Sequence, residues 1–237
     1  MTTSRGTVRA GGISLIVAAI AFMAVFSYLA AEFNYPDILD GIAADVFPAL
    51  LATGSSGRAV WALYAFLPLF WIPAGAGAFQ ALRDRSEGSM RVAMHFATVA
   101  AVSMMLGLMR WPSIHWELAR AYGAGTVEQR PVYDALFLGL NRYLGNYIGE
   151  FLGELSVSIF FLLSAIAILR ARDWPRWIGY VGLITAVAGM IGMFRNVASI
   201  AAPFAEVNNY LLPLWMIIFG VALLRSGPLA HDRLETT

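Results

Sequence analysis

Long uncharged apolar runs alternate with short polar breaks along the whole chain, at 10–31, 59–82, 92–109, 177–194 and 207–224. Each is close to the roughly 20 residues that a helix needs to cross the hydrocarbon of a bilayer. A sixth run, 155–169, is uncharged but too short by itself. It reaches spanning length only if its helix starts earlier and carries Glu150 and Glu154 into the membrane. The pattern therefore predicts an all-α integral membrane bundle of six transmembrane helices, at about 10–31, 59–82, 92–110, 148–170, 177–197 and 207–225, as one domain over 1–237.

The breaks carry their own signals. Residues 36–51 place Ile38, Leu39, Ile42, Val46 and Leu50 on one helical face and Asp37, Asp40 and Asp45 elsewhere, which predicts an amphipathic helix lying flat at the interface of the first outer loop. Thr53 to Gly57 reads as a flexible turn into the second span, which Pro68 and Pro73 should kink. After Arg110-Trp-Pro a short helix over 114–122 should break at Gly123-Ala-Gly125 and restart at Pro131. No proline interrupts 131–170. A straight helix of that length would be about 60 Å long, twice the hydrocarbon thickness, so a bend is expected near Gly139, Gly145 or Gly149.

Composition agrees with the pattern: 59% of the 237 residues are hydrophobic, 13% are charged, and mean hydropathy is +0.67. A soluble domain has too little polar surface in such a chain to cover its apolar residues. With no cysteine, disulfides, thiolate metal sites and cysteine nucleophiles are excluded. Every basic residue is arginine, so Schiff-base chemistry and a P-loop lysine are excluded as well. The uncharged run behind Arg5 and Arg9 is longer than the apolar core of a secretory signal, and it is expected to stay attached.

Charge also gives sidedness. If the N-terminus lies inside, the inner segments hold ten arginines, among them Arg83, Arg85, Arg91, Arg170, Arg172 and Arg176, against five acids, and the remainder holds six arginines against ten acids. Cationic loops stay cytoplasmic. Both termini are therefore expected in the cytoplasm. The scattered inner arginines are explained by topology, and no nucleic-acid partner is expected.

Candidate chemistry concentrates in one helix. Arg142, Asn146, Glu150 and Glu154 recur at four-residue intervals along one side, with Tyr143 and Tyr147 nearby, while Gly145, Gly149 and Gly153 form a neighbouring seam that another backbone can approach. A charge near the bilayer centre costs about 2.5 to 3.5 kcal/mol, so both glutamates should face a partner or a cavity. Arg195 and Asn196 end the fifth span and Arg110 ends the third, all at the outer level, and an Arg195 pair with Glu150 or Glu154 is expected. Such a chamber could bind a solute, relay a proton or act as general acid and base. Equally, a buried Glu–Arg pair could only fix helix positions.

Of the three histidines, His95 is expected as a hydrogen-bonded packing residue, His115 lies in an outer loop, and His231 in the tail. None forms a metal-binding motif, and neither a metal nor a cofactor is expected. Among Trp61, Tyr64, Trp71, Trp111, Trp116, Trp174, Trp177 and Trp215, most are expected as headgroup anchors near span ends, with only Tyr64 and Trp71 deep enough to line a pocket.

The segments Phe33-Asn-Tyr-Pro-Asp-Ile-Leu39, Arg110-Trp111, Arg142-Tyr143, Gly149-Glu-Phe-Leu-Gly153 and Pro175-Arg-Trp-Ile-Gly179 resemble a bacterial multi-pass membrane family known only as a domain of unknown function, DUF4386, across most of the chain. The resemblance implies a bacterial cytoplasmic-membrane protein without an assigned activity. It makes Glu150 and the outer-loop Asp37 positions to test. The family pattern carries a histidine where this chain has Phe151, which weakens a metal or proton-relay role.

Three readings remain open. The first is small-molecule or lipid binding, for transport or sensing, in an outward chamber of Arg142, Asn146, Glu150, Glu154, Arg195, Asn196, Arg110 and Asp37. The second is an intramembrane enzyme acting on a lipid or isoprenoid through Glu150 or Glu154, with Asp37 closing the site. The third is an accessory subunit that joins a second copy or a larger complex through Gly145, Gly149 and Gly153.

Overall fold

Helical periodicity is realised throughout. The computed structural model describes residues 2–226, and every regular element among them is helical. In chain order these are α1 (Thr2–Phe33), α2 (Ala43–Ala52), α3 (Gly54–Phe66), α4 (Trp71–Met109), α5 (Trp116–Ala124), α6 (Arg130–Leu140), α7 (Gly153–Arg170), α8 (Arg176–Gly192) and α9 (Ala202–Arg225). Short 3-10 and π segments join them. Five continuous helical stretches are long and apolar enough to cross a membrane: Arg5–Phe33, Gly54–Ala124, Arg130–Arg170, Arg176–Asn196 and Ser199–Arg225. Helices of that length and apolarity mark a membrane protein. The tail residues His231, Asp232, Arg233 and Glu235, and the side chain of Asp40, lie outside the described residues.

The second stretch holds two of the expected spans. At Ser86 the backbone leaves helical geometry (φ −166°, ψ 67°). A straight helix would separate Gly75 from Ala97 by about 33 Å. Instead a methyl group on Gly75 would lie 2.8 Å from Ala97 Cβ, so the chain folds back at Ser86 as a helical hairpin.

Proline and glycine signals fall where the helices change. Pro68 lies in a 3-10 turn, Leu67–Phe70, that joins α3 to α4. Pro131 occupies the first turn of α6, where its missing N–H costs nothing. The expected bend in the 131–170 helix takes the form of a π segment, Asn141–Leu152, between α6 and α7. The expected flexible turn at Thr53 to Gly57 is absent: α3 starts at Gly54, whose φ of +64° reverses the chain within one residue that carries no Cβ.

The chain divides into two compact units. One contains the chain up to Ile20, Leu69–Ala101, and the chain from Gly153 onward. Its helices approach closely through small residues: Gly11 lies against Gly77, Gly12 against the Gly220 carbonyl, and Gly192 against Ala205. Its aromatic core runs from Trp71 through Phe161 to Trp215 and Phe219, with the Trp215 Nε1 donating to the Ile178 carbonyl at 3.0 Å. At one end Arg85 pairs with Asp173 at 2.9 Å.

The other unit contains Ala21–Pro68 and Val102–Leu152. Here α2 corrects an expectation. Its apolar face does not lie open for headgroups, because Ala43, Val46, Phe47 and Leu50 are buried and the Phe47 ring meets Tyr122 of α5 and Phe137 of α6 at 5.4 and 4.9 Å. Only Ile42, 66% exposed, stays outside. The tryptophans correct another. Six of the seven, all except Trp177, are at most 8% exposed within the protein. Ring-on-ring packing, such as Trp61 stacked on Trp111 at 4.9 Å, takes the surface that interfacial anchoring would have used.

Candidate functional site

In the first unit the Glu154 carboxylate lies among residues of three helices, α7, α8 and α9. Glu154 and Ser158 are one turn apart on α7, which places both on the same face. From α9, Asn208 Nδ2 donates to Glu154 Oε1. Facing them on α8 is Gly189, where a methyl group would lie 2.5 Å from Glu154 Oε1, closer still to Ser158 Oγ, and 3.1 Å from Asn208 Nδ2. Any side chain at 189 would therefore displace the cluster. Ser158 and Asn208 are 1% and 5% exposed, and Asn208 Oδ1 has no hydrogen-bond partner among the described residues. A buried acceptor without a donor costs about 1 to 3 kcal/mol. Glu154 Oε1, Ser158 Oγ and the Asn208 amide nitrogen thus converge on Gly189.

The second unit centres on Arg110, which is buried. Its Nε donates to Asn141 Oδ1 at 3.1 Å, its Nη1 donates to the Gly107 carbonyl, and its guanidinium lies 5.0 Å from the Trp111 ring centre. Asn141 Nδ2 in turn donates to the Leu39 carbonyl at 3.0 Å, tying the turn Asp37–Asp40 to the same network. Gly145 makes room for the guanidinium, and Gly149 packs backbone to backbone on Gly107. Two glycines of the expected docking seam are therefore occupied by this chain itself. Arg58 joins the neighbouring segment, with its Nε donating to the Pro112 carbonyl at 2.9 Å and its Nη2 reaching Glu117 at 3.2 Å.

His115 is fully enclosed beside Arg110, between the Trp111 ring at 4.8 Å and the Phe137 ring at 4.9 Å. Neither ring nitrogen has a hydrogen-bond partner among the described residues. Burial first, and then the positive charge of Arg110, lower its pKa from 6.5 to about 3, so the ring is neutral. His95, expected as a bonded packing residue, is exposed.

The eight expected site residues divide between the units. Arg110, Asp37, Arg142, Asn146 and Glu150 belong to the second, where Asp37 and Arg142 are exposed and Asn146 and Glu150 half-buried. Glu154, Arg195 and Asn196 belong to the first, the latter two half-buried in a 3-10 turn, Met193–Asn196. The expected single ladder is thus divided where the π segment gives way to α7. Sequence reasoning missed Ser158, Gly189, Asn208 and Asn141, and gave His115 no structural weight. Two signals were available: adjacent asparagines, 208 and 209, inside an apolar span, and Ser158 one turn from Glu154. No group of three or more His, Asp or Glu side chains suited to a metal occurs among the described residues.

The model of one family, a domain of unknown function designated DUF4386, matches residues 10–227. No curated protein and no solved structure matches the chain.

Proposed function

The chain belongs to the DUF4386 family of unknown function, and from that premise we propose that it is a six-span protein of the bacterial cytoplasmic membrane that binds a small molecule or lipid for transport or sensing. The reversal at Ser86 supports the sixth span, since it turns one 71-residue stretch into two crossings. The Arg85–Asp173 pair supports the sidedness, because it joins two segments assigned to the inner face, and the Arg58–Glu117 pair joins two assigned to the outer face. Both termini are cytoplasmic in this topology.

One observation carries the functional reading: the Glu154 carboxylate meets buried Asn208 and Ser158 against a glycine, where any side chain would collide with them. A charge kept at membrane depth and surrounded by hydrogen-bonding groups is costly to maintain, and such positions mark solute and ion pathways. Extraction in mild detergent followed by native mass measurement tests the reading. A bound small molecule or lipid should accompany the wild type and be lost from Glu154→Gln with helix content unchanged. Equal occupancy in the two proteins, or none in either, would remove Glu154 from the site.

A further inference from the structure

On α8 the covered and uncovered faces differ in kind. Toward α7 and α9 it presents glycines, with Gly179 against Leu169, Gly182 against the Trp215 ring and Gly192 against Ala205. On the outside Arg176, Tyr180, Ile184, Val187 and Ile191 follow one another at steps of four or three residues, which keeps them on one face, and all five are exposed. Trp177 flanks the arginine end of this stripe and is 54% exposed, whereas the other six tryptophans are buried. From Tyr180 to Ile191 the stripe runs about 17 Å, close to one leaflet of the roughly 30 Å hydrocarbon layer. Arginine first, then a tryptophan and a tyrosine, then aliphatic side chains: this is the depth order of the phosphate, glycerol and acyl chain of a phospholipid.

The arginines near that end divide by their partners. Arg83, Arg85 and Arg91 pair with Asp84, Asp173 and Glu87 at 3.9, 2.9 and 2.6 Å. Those three are all the acids of segments 83–91 and 170–176, so none is left for Arg172 and Arg176, and neither forms an ion pair among the described residues. Arg170 closes α7, where the helix carbonyls favour a cation, but Arg176 opens α8, where they do not, so its charge does not serve the helix. The planar guanidinium matches phosphate through paired N–H donors, and basic residues beside a span attract anionic headgroups. We infer that Arg172 and Arg176 hold the phosphate of an anionic phospholipid, with Trp177 and Tyr180 at its glycerol and the α8 stripe along its acyl chain. A free phosphate would leave the two rings and the stripe without a role. A second copy related by a two-fold axis along the membrane normal would bring its own unpaired arginines to the same depth, like charge against like charge. This site is separate from the Glu154 cluster and does not depend on the reading proposed for it.

The test uses the full chain, delipidated in mild detergent, with thermal unfolding followed as phosphatidylglycerol or phosphatidylcholine of the same acyl chains is added. Saturable stabilisation is expected from phosphatidylglycerol, at a midpoint at least several-fold below that of phosphatidylcholine, following the logarithmic dependence of stability on ligand concentration. Inorganic phosphate should add nothing. The preference for the anionic lipid should vanish in the double variant Arg172→Gln/Arg176→Gln, and Arg172→Gln alone should give an intermediate response; both side chains are exposed, so the fold is kept. Trp177→Ala should raise the phosphatidylglycerol midpoint several-fold. Arg9→Gln removes an exposed arginine that heads the apolar side chains Ile13, Val17 and Ile20 of α1 without an aromatic ring, and it should respond as the wild type does. The α8 site is overturned if the two lipids act alike, if the double variant keeps the preference, if Arg9→Gln loses it equally, or if inorganic phosphate reproduces it. A lipid-independent dimer that Ile184→Arg splits would overturn it as well, by giving the stripe to a second copy. Glu154→Gln should respond to phosphatidylglycerol unchanged; a response lost there would assign the lipid to the Glu154 cluster and remove it from α8.

Discussion

Acidification from pH 7.5 to 5 probes the enclosure of His115. In the folded chain its pKa is about 3, and in the unfolded chain it returns to the ordinary 6.5, so the unfolded state takes up the proton first. Its contribution to stability is complete above pH 6.5 and is lost progressively as the pH falls toward 3. At pH 5 the unfolded histidine is almost fully protonated and the folded one almost wholly neutral, which costs about 2 kcal/mol. For a chain of this size that corresponds to roughly 4 to 8 °C in unfolding temperature. The structural cause is specific: the ring sits between Trp111 and Phe137 with Arg110 as its charged neighbour, so protonation would place a second cation in an apolar enclosure. Thermal unfolding of wild type and His115→Phe in mild detergent, at half-unit steps between pH 7.5 and 5, measures the effect. The wild type should lose stability over this window and the variant should be nearly flat by comparison. Parallel profiles for the two proteins would show that His115 is not enclosed as described.

Three further perturbations separate buried contacts from exposed ones. Gly149→Ala places a methyl group 2.9 Å from Gly107 Cα, a backbone atom that cannot step aside, and should cost about 1 to 3 kcal/mol by thermal unfolding. Asn141→Ala removes the acceptor of Arg110 Nε and the donor to the Leu39 carbonyl; a loss of about 1 to 3 kcal/mol is expected, and an unchanged unfolding temperature would show that water replaces the amide. Arg85→Ala breaks an ion pair whose side chains are 40% and 61% exposed, so at most about 1 kcal/mol should be lost, and raising the salt concentration should reduce the wild-type advantage.

The apolar runs by themselves determined that the chain is helical and where its helices are long enough to cross a bilayer, because burying backbone polar groups in hydrocarbon leaves helices as the structure such runs can form. Pro68, Pro131 and the glycines near 145 likewise marked the 3-10 turn, the helix start and the π segment, since these residues act on the backbone locally. A helical repeat tells which residues share a face but not what covers that face. That was decided in three dimensions: α2 turned its apolar face to α5 and α6, six tryptophans turned inward, and two seam glycines met Gly107 and Arg110. The polar partners were decided there too, for Asn208 lies 54 residues from Glu154 and Asn141 lies 102 from Leu39, separations over which local pattern carries no information. Glu154 was visible in the sequence as a charge out of place. Its own helix placed Ser158 one turn away, and only the packing of α8 and α9 on α7 brought a bare glycine and an asparagine to it.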